Sequence, residues 1–183
     1  ERGATSVFVS SNGTAFGAEL ASQRLLTDKA AKNLQLAISE VSTEGWPGLE
    51  DRLNELQETL DQRAQHRDGV DALSMSLGEA LGHYTRHNAD ILALVSFIGS
   101  NSGQSRLSVR LIKLEAFLSA KEYAGIERAV GSGGFAAGGF DFDRAMVLRD
   151  MVSRQNVELL RFRSLGTEED LAMLAELNDL PAV

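Results

Sequence analysis

The sequence contains no cysteine, only two prolines among 183 residues, and no run of about 20 apolar residues. The missing cysteine excludes a disulfide scaffold, a thiol nucleophile and a cysteine-ligated zinc or iron–sulfur site. Because there is no apolar run of about 20 residues, no segment of this sequence is expected to span a bilayer. The first residues also lack the charged and apolar regions of a signal peptide. The compartment has to be inferred from other features.

Positive charge is also scarce, because 18 Lys and Arg stand against 26 Asp and Glu, which gives a formal net charge of −8. A nucleic acid or an anionic membrane surface is recognised by a basic face, so neither is expected as a binding partner. A negatively charged ligand would have to be held by a local cluster of arginines against the overall field.

Apolar residues recur at helical spacing almost everywhere, and alternating runs bounded by turn residues are nearly absent. The sequence therefore predicts an all-α fold of long antiparallel helices that form up-down four-helix-type bundles, either one bundle or two stacked ones. Helices are predicted over residues 1 to 9, 15 to 41, 49 to 70, 74 to 98, 105 to 130, 142 to 165 and 167 to 178. Thr14 is expected to cap the second helix, and a bend is expected near Asp68 and Gly69 in the third. Residues 131 to 139 are rich in glycine and are expected to form a flexible break from which Phe135 returns to the core.

Catalytic machinery is hard to find in the sequence, which has no glycine-rich loop of Walker or dinucleotide form. His83 and His87 are four residues apart with Asp90 one turn further on, which is ligand spacing for zinc on one helix face. A solvated polar face explains the same residues without a metal. We therefore expect no enzyme, no cofactor and no metal.

Two arginines stand in similar local settings, since Glu1-Arg2 and Glu127-Arg128 are each followed by a segment rich in glycine and phenylalanine. A guanidinium is planar, stays charged at physiological pH and matches a planar oxyanion with forked donors. Such a group is costly to bury without a partner, so a pair of them indicates either a small-anion site or a set of salt bridges. In the second interpretation Glu1/Arg2 and Glu127/Arg128 form interhelical pairs and bind nothing.

One string of the sequence is specific, namely Lys121-Glu122-Tyr123-Ala124-Gly125-Ile126-Glu127-Arg128-Ala129. Weaker strings are Glu1-Arg2-Gly3 with Ser6 and Phe8, then Gln23 to Asp28, then Arg67 with Val70, then Tyr84-Thr85. In this order the strings resemble the nitrate- and nitrite-sensing domain family of bacterial chemoreceptors, histidine kinases and cyclases, which also occurs in a soluble transcription antiterminator. The Gln-Lys that usually precedes Glu-Arg-Gly in the family is missing, because the chain begins at Glu1.

The resemblance implies two stacked up-down bundles and a nitrate or nitrite pocket built from helix-borne arginines. Arg2 and Arg128 are the expected principal donors, whereas Arg24 and Arg67 match weaker strings and are expected to be supporting or structural. Thr5, Ser6, Ser132 and the backbone N–H groups of residues 131 to 134 are further candidate donors. The candidate ligand-binding residues are thus Arg2, Arg128, Arg24, Arg67, Thr5, Ser6 and Ser132.

On this basis residues 1–183 are interpreted as one helical sensor domain, excised from between two transmembrane helices of an inner-membrane receptor. We expect it to be periplasmic or otherwise extracytoplasmic, to be homodimeric, to be anchored to the membrane in the full-length protein and to bind nitrate or nitrite. One alternative is a ligand-free dimerisation or structural module that couples membrane spans. Another is a sensor of a different small anion or an organic acid.

Overall fold

The computed structural model describes residues 1–136 and 139–178, and over these residues it contains eight helices and no strand. The helices are α1 (Arg2–Ser10), α2 (Gly17–Glu40), α3 (Leu49–Asp61), α4 (Arg63–Asp71), α5 (Leu77–Asn101), α6 (Ser105–Ala136), α7 (Phe142–Leu165) and α8 (Glu168–Asn178). The predicted all-α class is confirmed, and most predicted helix ends lie within a few residues of those observed. Residues 137 and 138 of the predicted glycine-rich break lie outside the described residues. Over the same described ranges, no helix combines the length and apolar character that a membrane crossing requires.

The end of α1 follows the prediction, whereas the start of α2 does not. Asn12 and Gly13 have φ angles of 51° and 77°, the left-handed conformation that stops a helix. The predicted cap Thr14 is not used, because its hydroxyl donates to the carbonyl oxygen of Ser11 at 2.7 Å. Phe16, with φ of 65°, takes the cap position of α2 and makes no side-chain cap hydrogen bond.

Two other helices begin with reciprocal capping bonds. Ser76 accepts from the backbone N–H of Glu79 at 3.3 Å, and the Glu79 carboxylate accepts from the N–H of Ser76 at 2.8 Å. Thr167 and Asp170 make the corresponding pair of bonds at the start of α8, at 3.3 and 2.7 Å. These bonds satisfy backbone donors that the first turn of a helix leaves free.

The predicted third helix is divided into α3 and α4 at Gln62, so the expected bend at Asp68 and Gly69 is wrong. Gln62 keeps right-handed angles of −69° and −12°, which makes the division a local irregularity. Asp68 and Gly69 lie inside α4 and are followed by its end at Asp71.

The glycines at 131 to 134 do not end the fifth predicted helix, because α6 continues to Ala136. Glycine costs about 1 kcal/mol relative to alanine inside a helix, but α6 packs extensively against α7 and that packing outweighs local propensity. Phe135 is 78% exposed and meets Phe140 edge to face at 5.3 Å, so its predicted return to the core is wrong. A Cβ at Gly134 would overlap the ring of Phe140, so the absence of a side chain there permits this close approach.

Two clusters of buried apolar residues mark the cores at the two ends of the chain order. One lies between α2, α4 and α5, with α1 packed against it, and consists of Leu20, Val70 and Ala80. The other lies between α6, α7 and α8 and consists of Ala116, Phe162 and Leu174. Helix α1 also contacts α5 and α6, so the three helices meet beside the first core and enclose a cleft.

Candidate anion-binding cleft

A cavity of about 600 Å³ lies where α1, α5 and α6 meet, and we call it the anion cleft. Four of the seven predicted site residues line it, namely Arg2, Ser6, Arg128 and Ser132. Arg2 and Ser6 lie one turn apart on α1, whereas Arg128 and Ser132 lie one turn apart on α6. The helical spacing therefore places two Arg/Ser pairs on different walls of one cleft.

The guanidinium of Arg2 is held by side chains of α5 and α6. Its Nη1 forms an ion pair with Glu122, and the same nitrogen lies 3.2 Å from Oγ1 of Thr85. Asn88 donates to the other carboxylate oxygen of Glu122 at 2.8 Å. The side chains of Arg2 and Glu122 are only 13% and 14% exposed, so this pair is largely withdrawn from water.

Gly125 explains how Arg2 fits against α6. A Cβ at this position would overlap Nη2 of Arg2, so no other residue leaves the guanidinium where it is. A glycine in the interior of a helix is unfavourable and is often kept for a close approach of this kind. Within the string that contains Arg128, Gly125 thus makes room for the guanidinium of Arg2.

Arg128 is exposed, in contrast to Arg2. No carboxylate of the described residues lies within 4.0 Å of its guanidinium. Its neighbour Glu127 accepts a hydrogen bond from Gln155 of α7. The alternative that pairs Glu127 with Arg128 is therefore not what the structure contains.

Glu1 is the most deeply buried carboxylate beside the cleft, with a side chain that is 2% exposed. Arg67 grips it with two bonds of 2.8 and 2.7 Å, and Tyr84 donates to it at 3.0 Å. Burial alone would raise the pKa of Glu1, but the hydrogen bonds and charge of Arg67 outweigh burial and lower that pKa. The predicted pairing of Glu1 with Arg2 is replaced by pairing with Arg67.

Arg67 and Arg24 belong to this ionic network and do not line the anion cleft. Arg67 also binds Asp28 at 2.7 Å, while Arg24 makes two bonds of 2.8 Å to Asp71. Both arginines therefore have carboxylate partners, which agrees with the supporting role expected from their weaker strings.

Two further predicted donors are also placed elsewhere. Thr5 is fully buried at 0% exposure and bonds to the hydroxyl of Tyr84 at 3.0 Å. Because that hydroxyl donates to Glu1, Thr5 is the donor to Tyr84. The N–H groups of residues 131 to 134 lie within α6, so they are committed to helix hydrogen bonds and not presented at a break.

His83 and His87 do not form the solvated polar face that we expected with Asp90, because both are half-buried and His83 packs against the buried His66. His66 and His83 stack with ring centroids 4.2 Å apart, and Nε2 of His66 lies 2.9 Å from the carbonyl oxygen of Ala80. Burial, together with the neighbouring His66 and His87, lowers the pKa of His83 to about 4. Within residues 1–136 and 139–178 no group of three acidic, histidine or cysteine side chains has metal-binding geometry.

Sequence reasoning did not single out Asn88, Glu122 and Gly125 as site residues. Glu122 and Gly125 stand in the string that identified Arg128, and an acid three residues before a mid-helix glycine was a usable signal. Asn88 carried no comparable signal, because its role depends on how α5 is placed against α6.

A family model described as nitrate and nitrite sensing matches residues 1–183 of this chain. The chain belongs to this nitrate- and nitrite-sensing family, and the resemblance of its strings is confirmed. It is similar to the nitrate regulatory protein of Klebsiella oxytoca, with 27% identity over 176 residues, which cover 96% of this chain and 44% of that protein. It is also similar to the solved structure of the NasR transcription antiterminator, with a TM-score of 0.92 and 26% identity over 98% of this chain and 49% of that one. The chain spans about half the length of these relatives.

The expectation of a periplasmic or extracytoplasmic receptor domain is wrong, because the relatives that match nearly the whole chain are a nitrate regulatory protein and a transcription antiterminator. The expectation of a membrane anchor conflicts with the same relatives. The strings used for recognition describe the cleft and its helices, which do not specify a compartment. The family and these relatives are sensors and regulators in name, in line with the expectation of a non-enzymatic role.

The expectation of no nucleic-acid partner conflicts with the similarity of this chain to a transcription antiterminator. That expectation came from the net charge of −8 of this chain. The chain corresponds to only about half the length of these relatives. The charge of one region says nothing about a surface on another region.

Proposed function

We propose that residues 1–183 act as a single sensing unit that binds nitrate or nitrite in the anion cleft. The observation that carries the proposal is that Arg2 of α1 and Arg128 of α6 line the same cleft. Each guanidinium offers planar N–H donors to a planar oxyanion, and Ser6 and Ser132 add hydroxyl donors. Membership of a nitrate- and nitrite-sensing family supports this ligand.

The charge of the cleft supports a monovalent anion. Its charged lining residues are the cations Arg2, Lys121 and Arg128 and the carboxylates Glu1 and Glu122, which leave a net charge of +1. A divalent anion would exceed this charge, and it would be repelled by a carboxylate that stays beside Arg2. A small monovalent anion balances the cleft.

The carboxylate of Glu122 competes with the ligand for the guanidinium of Arg2, because the two side chains form an ion pair. An anion that takes Nη1 of Arg2 leaves Glu122 with the 3.3 Å bond from Nη2 of Arg2 and the 2.8 Å bond from Asn88. Arg2 belongs to α1, whereas Glu122 belongs to α6, so the exchange changes what holds these two helices together. Differential contacts of this kind are what a ligand needs to shift one arrangement of helices to another.

The test is calorimetric titration with sodium nitrate and sodium nitrite, with sodium chloride as the control for ionic strength. We expect saturable heat from nitrate or nitrite that is lost in Arg128→Ala and in Arg2→Ala. Arg110→Ala is the matched control, because Arg110 is an exposed arginine of the same helix as Arg128 and does not line the cleft. Equal loss of heat in all three variants would contradict a specific role for the cleft.

A ligand-free structural module is the second candidate function, and the observation that favours it is the Arg2–Glu122 pair. In such a module the pair would fasten α1 to α6 permanently, and neither anion would give saturable heat. Arg2→Ala would then lower the thermal stability of the protein while nitrate left that stability unchanged. A rise in melting temperature with nitrate in the wild-type chain decides for the sensor.

We further propose that the chain is the sensing region of a transcription regulator, a role that its similarity to a nitrate regulatory protein and to a transcription antiterminator supports, and that it forms a homodimer. Apolar side chains on α7 are exposed, including Val157 at 61% and Leu160 at 63%, and a second copy would cover them. Light scattering should give twice the chain mass, and the double variant Val157→Glu/Leu160→Glu should give the single mass. A wild-type monomer at all concentrations would contradict the dimer.

A further inference from the structure

A second cavity, of about 140 Å³, lies between α2, α3, α4 and α5. Most of its wall is apolar, with Ala31 and Leu34 from α2, Leu60 from α3 and Ile91 from α5. Tyr84 and His87 line both this cavity and the anion cleft, so the two cavities are neighbours that share part of a wall. We call the second one the inner cavity.

Two polar atoms of the inner-cavity residues are buried without a hydrogen-bond partner among the described residues, namely Nη1 of Arg63 and Nδ1 of His87. Buried polar atoms are nearly always hydrogen-bonded, so the side chains of Arg63 and His87, which both belong to residues of this cavity's wall, each call for a partner. Thr59 does not supply it, because its hydroxyl bonds to Glu55 and Asp90.

The charge of Arg63 is only partly balanced by protein groups. Its Nε lies 3.3 Å from Asp28, but the same carboxylate oxygen is 2.7 Å from Nη1 of Arg67. Asp28 is therefore shared between two guanidiniums, and the closer one is Arg67. An additional carboxylate at Nη1 of Arg63 would complete the pairing.

We propose that the inner cavity binds a short monocarboxylate of about six non-hydrogen atoms, separately from the anion cleft. An apolar cavity of about 150 Å³ accommodates benzene, which sets the size of the ligand. The carboxylate accepts from Nη1 of Arg63 and from an Nδ1–H tautomer of His87, and the hydrocarbon tail lies against Leu34 and Leu60. Nitrate has no apolar part and gains nothing from these walls.

The probe is sodium butyrate, titrated into the full chain and followed by calorimetry and by the imidazole proton signals of His87. We expect saturable binding in the wild-type chain and about tenfold weaker binding in Arg63→Gln, which removes a charge-assisted hydrogen bond. Arg86→Gln is the matched control, since Arg86 is an exposed arginine of α5 that does not line the cavity. Binding that is equal in both variants would overturn the proposal.

Two further variants separate the inner cavity from the anion cleft and from misfolding. Ala31→Leu fills the cavity without removing a charge, and we expect it to abolish butyrate binding while the helical circular dichroism of the chain is retained. Arg2→Ala should leave butyrate binding unchanged, and nitrate should not compete with butyrate. Loss of butyrate binding in Arg2→Ala, or no saturable butyrate binding at all, would show that the inner cavity does not take a carboxylate.

Discussion

Gly125 has no Cβ, and this leaves room for the guanidinium of Arg2. Substitution Gly125→Ala places a Cβ where Nη2 of Arg2 lies, so the guanidinium has to move away from its position between Glu122 and Thr85. We expect nitrate affinity to fall by about tenfold or more. Folding stability should fall, because the loss of the largely buried Arg2–Glu122 pair outweighs the roughly 1 kcal/mol that alanine gains over glycine in a helix. Calorimetry with nitrate and a thermal melt measure the two effects.

The matched control for this prediction is Gly131→Ala. It makes the same change on the same helix, and a Cβ at Gly131 would meet no atom within 4 Å. Nitrate affinity should be unaltered in this variant. Weakened nitrate binding in both variants would mean that helix flexibility, and not the space beside Arg2, is what the cleft requires.

In the proposed sensor, Glu122 competes with the anion for Arg2. Substitution Glu122→Gln keeps the shape of the side chain and removes the competing charge, so we expect nitrate affinity to rise about tenfold, or ~1.4 kcal/mol. The ligand-free protein should melt at a lower temperature, because Arg2 loses its charged partner. Glu127→Gln on the same helix is the control, since Glu127 faces Gln155. A fall in affinity would instead show that Glu122 positions Arg2 for the ligand.

Among the helices, α5 is stabilised by the capping bonds of its first turn. Ser76 and Glu79 satisfy each other's backbone donors there, and Ser76→Ala removes one of those bonds. We expect a loss of about 1 kcal/mol in the free energy of unfolding, measured with urea. Ser22→Ala is the control, since Ser22 is exposed in the interior of α2 and alanine is favoured at such a position. An equal effect of the two substitutions would refute the role of the cap.

Helix identity was predictable from the sequence, because apolar spacing is a local signal that each helix carries for itself. Helix ends were less so. Residues 131 to 134 have the composition of a break, yet α6 runs through them because α7 packs alongside and Phe140 closes over Gly134. Tertiary packing decides such cases, and no pattern within the segment reports it.

The candidate site was predictable to the extent that short strings mark it. Arg2 and Arg128 were found because each stands in a string shared with the family, and the helical repeat then placed Ser6 and Ser132 beside them. Arg24, Arg67 and Thr5 were assigned to the same site, but they do not line the anion cleft. Only the three-dimensional arrangement shows that Arg24 and Arg67 are already paired with carboxylates. Glu122 was overlooked for the same reason.

For the molecule as a whole, the buried histidines predict how stability depends on pH. Burial lowers the pKa values of His66, His83 and His87 below the ordinary 6.5, and that of His83 to about 4. The unfolded chain therefore takes up protons below about pH 6.5 that the folded chain does not bind. We expect the free energy of unfolding to be nearly constant above that pH and to fall steadily down to about pH 4.

Urea titrations at about pH 7.5 and about pH 5 measure this dependence. His83→Asn should show a smaller difference between the two pH values, because one of the depressed groups is gone. If the difference in the free energy of unfolding between the two pH values is as large in His83→Asn as in the wild-type chain, the pH dependence comes from carboxylates. Glu1 belongs to a lower window, since its lowered pKa contributes stability that is lost only as the pH falls below about 4.5.

The unbroken course of α6 has a mechanical consequence. The helix is 32 residues long, and Glu122 and Arg128 face the anion cleft from its middle, whereas both of its ends lie beyond the cleft. From Glu122 to Ala136 the helix extends about 21 Å at 1.5 Å per residue. A tilt of about 5° at the cleft therefore moves that end by ~2 Å, together with the start of α7. In the proposed sensor, a tilt of α6 that nitrate causes in the anion cleft is transmitted by the stiff helix to a surface about 21 Å away.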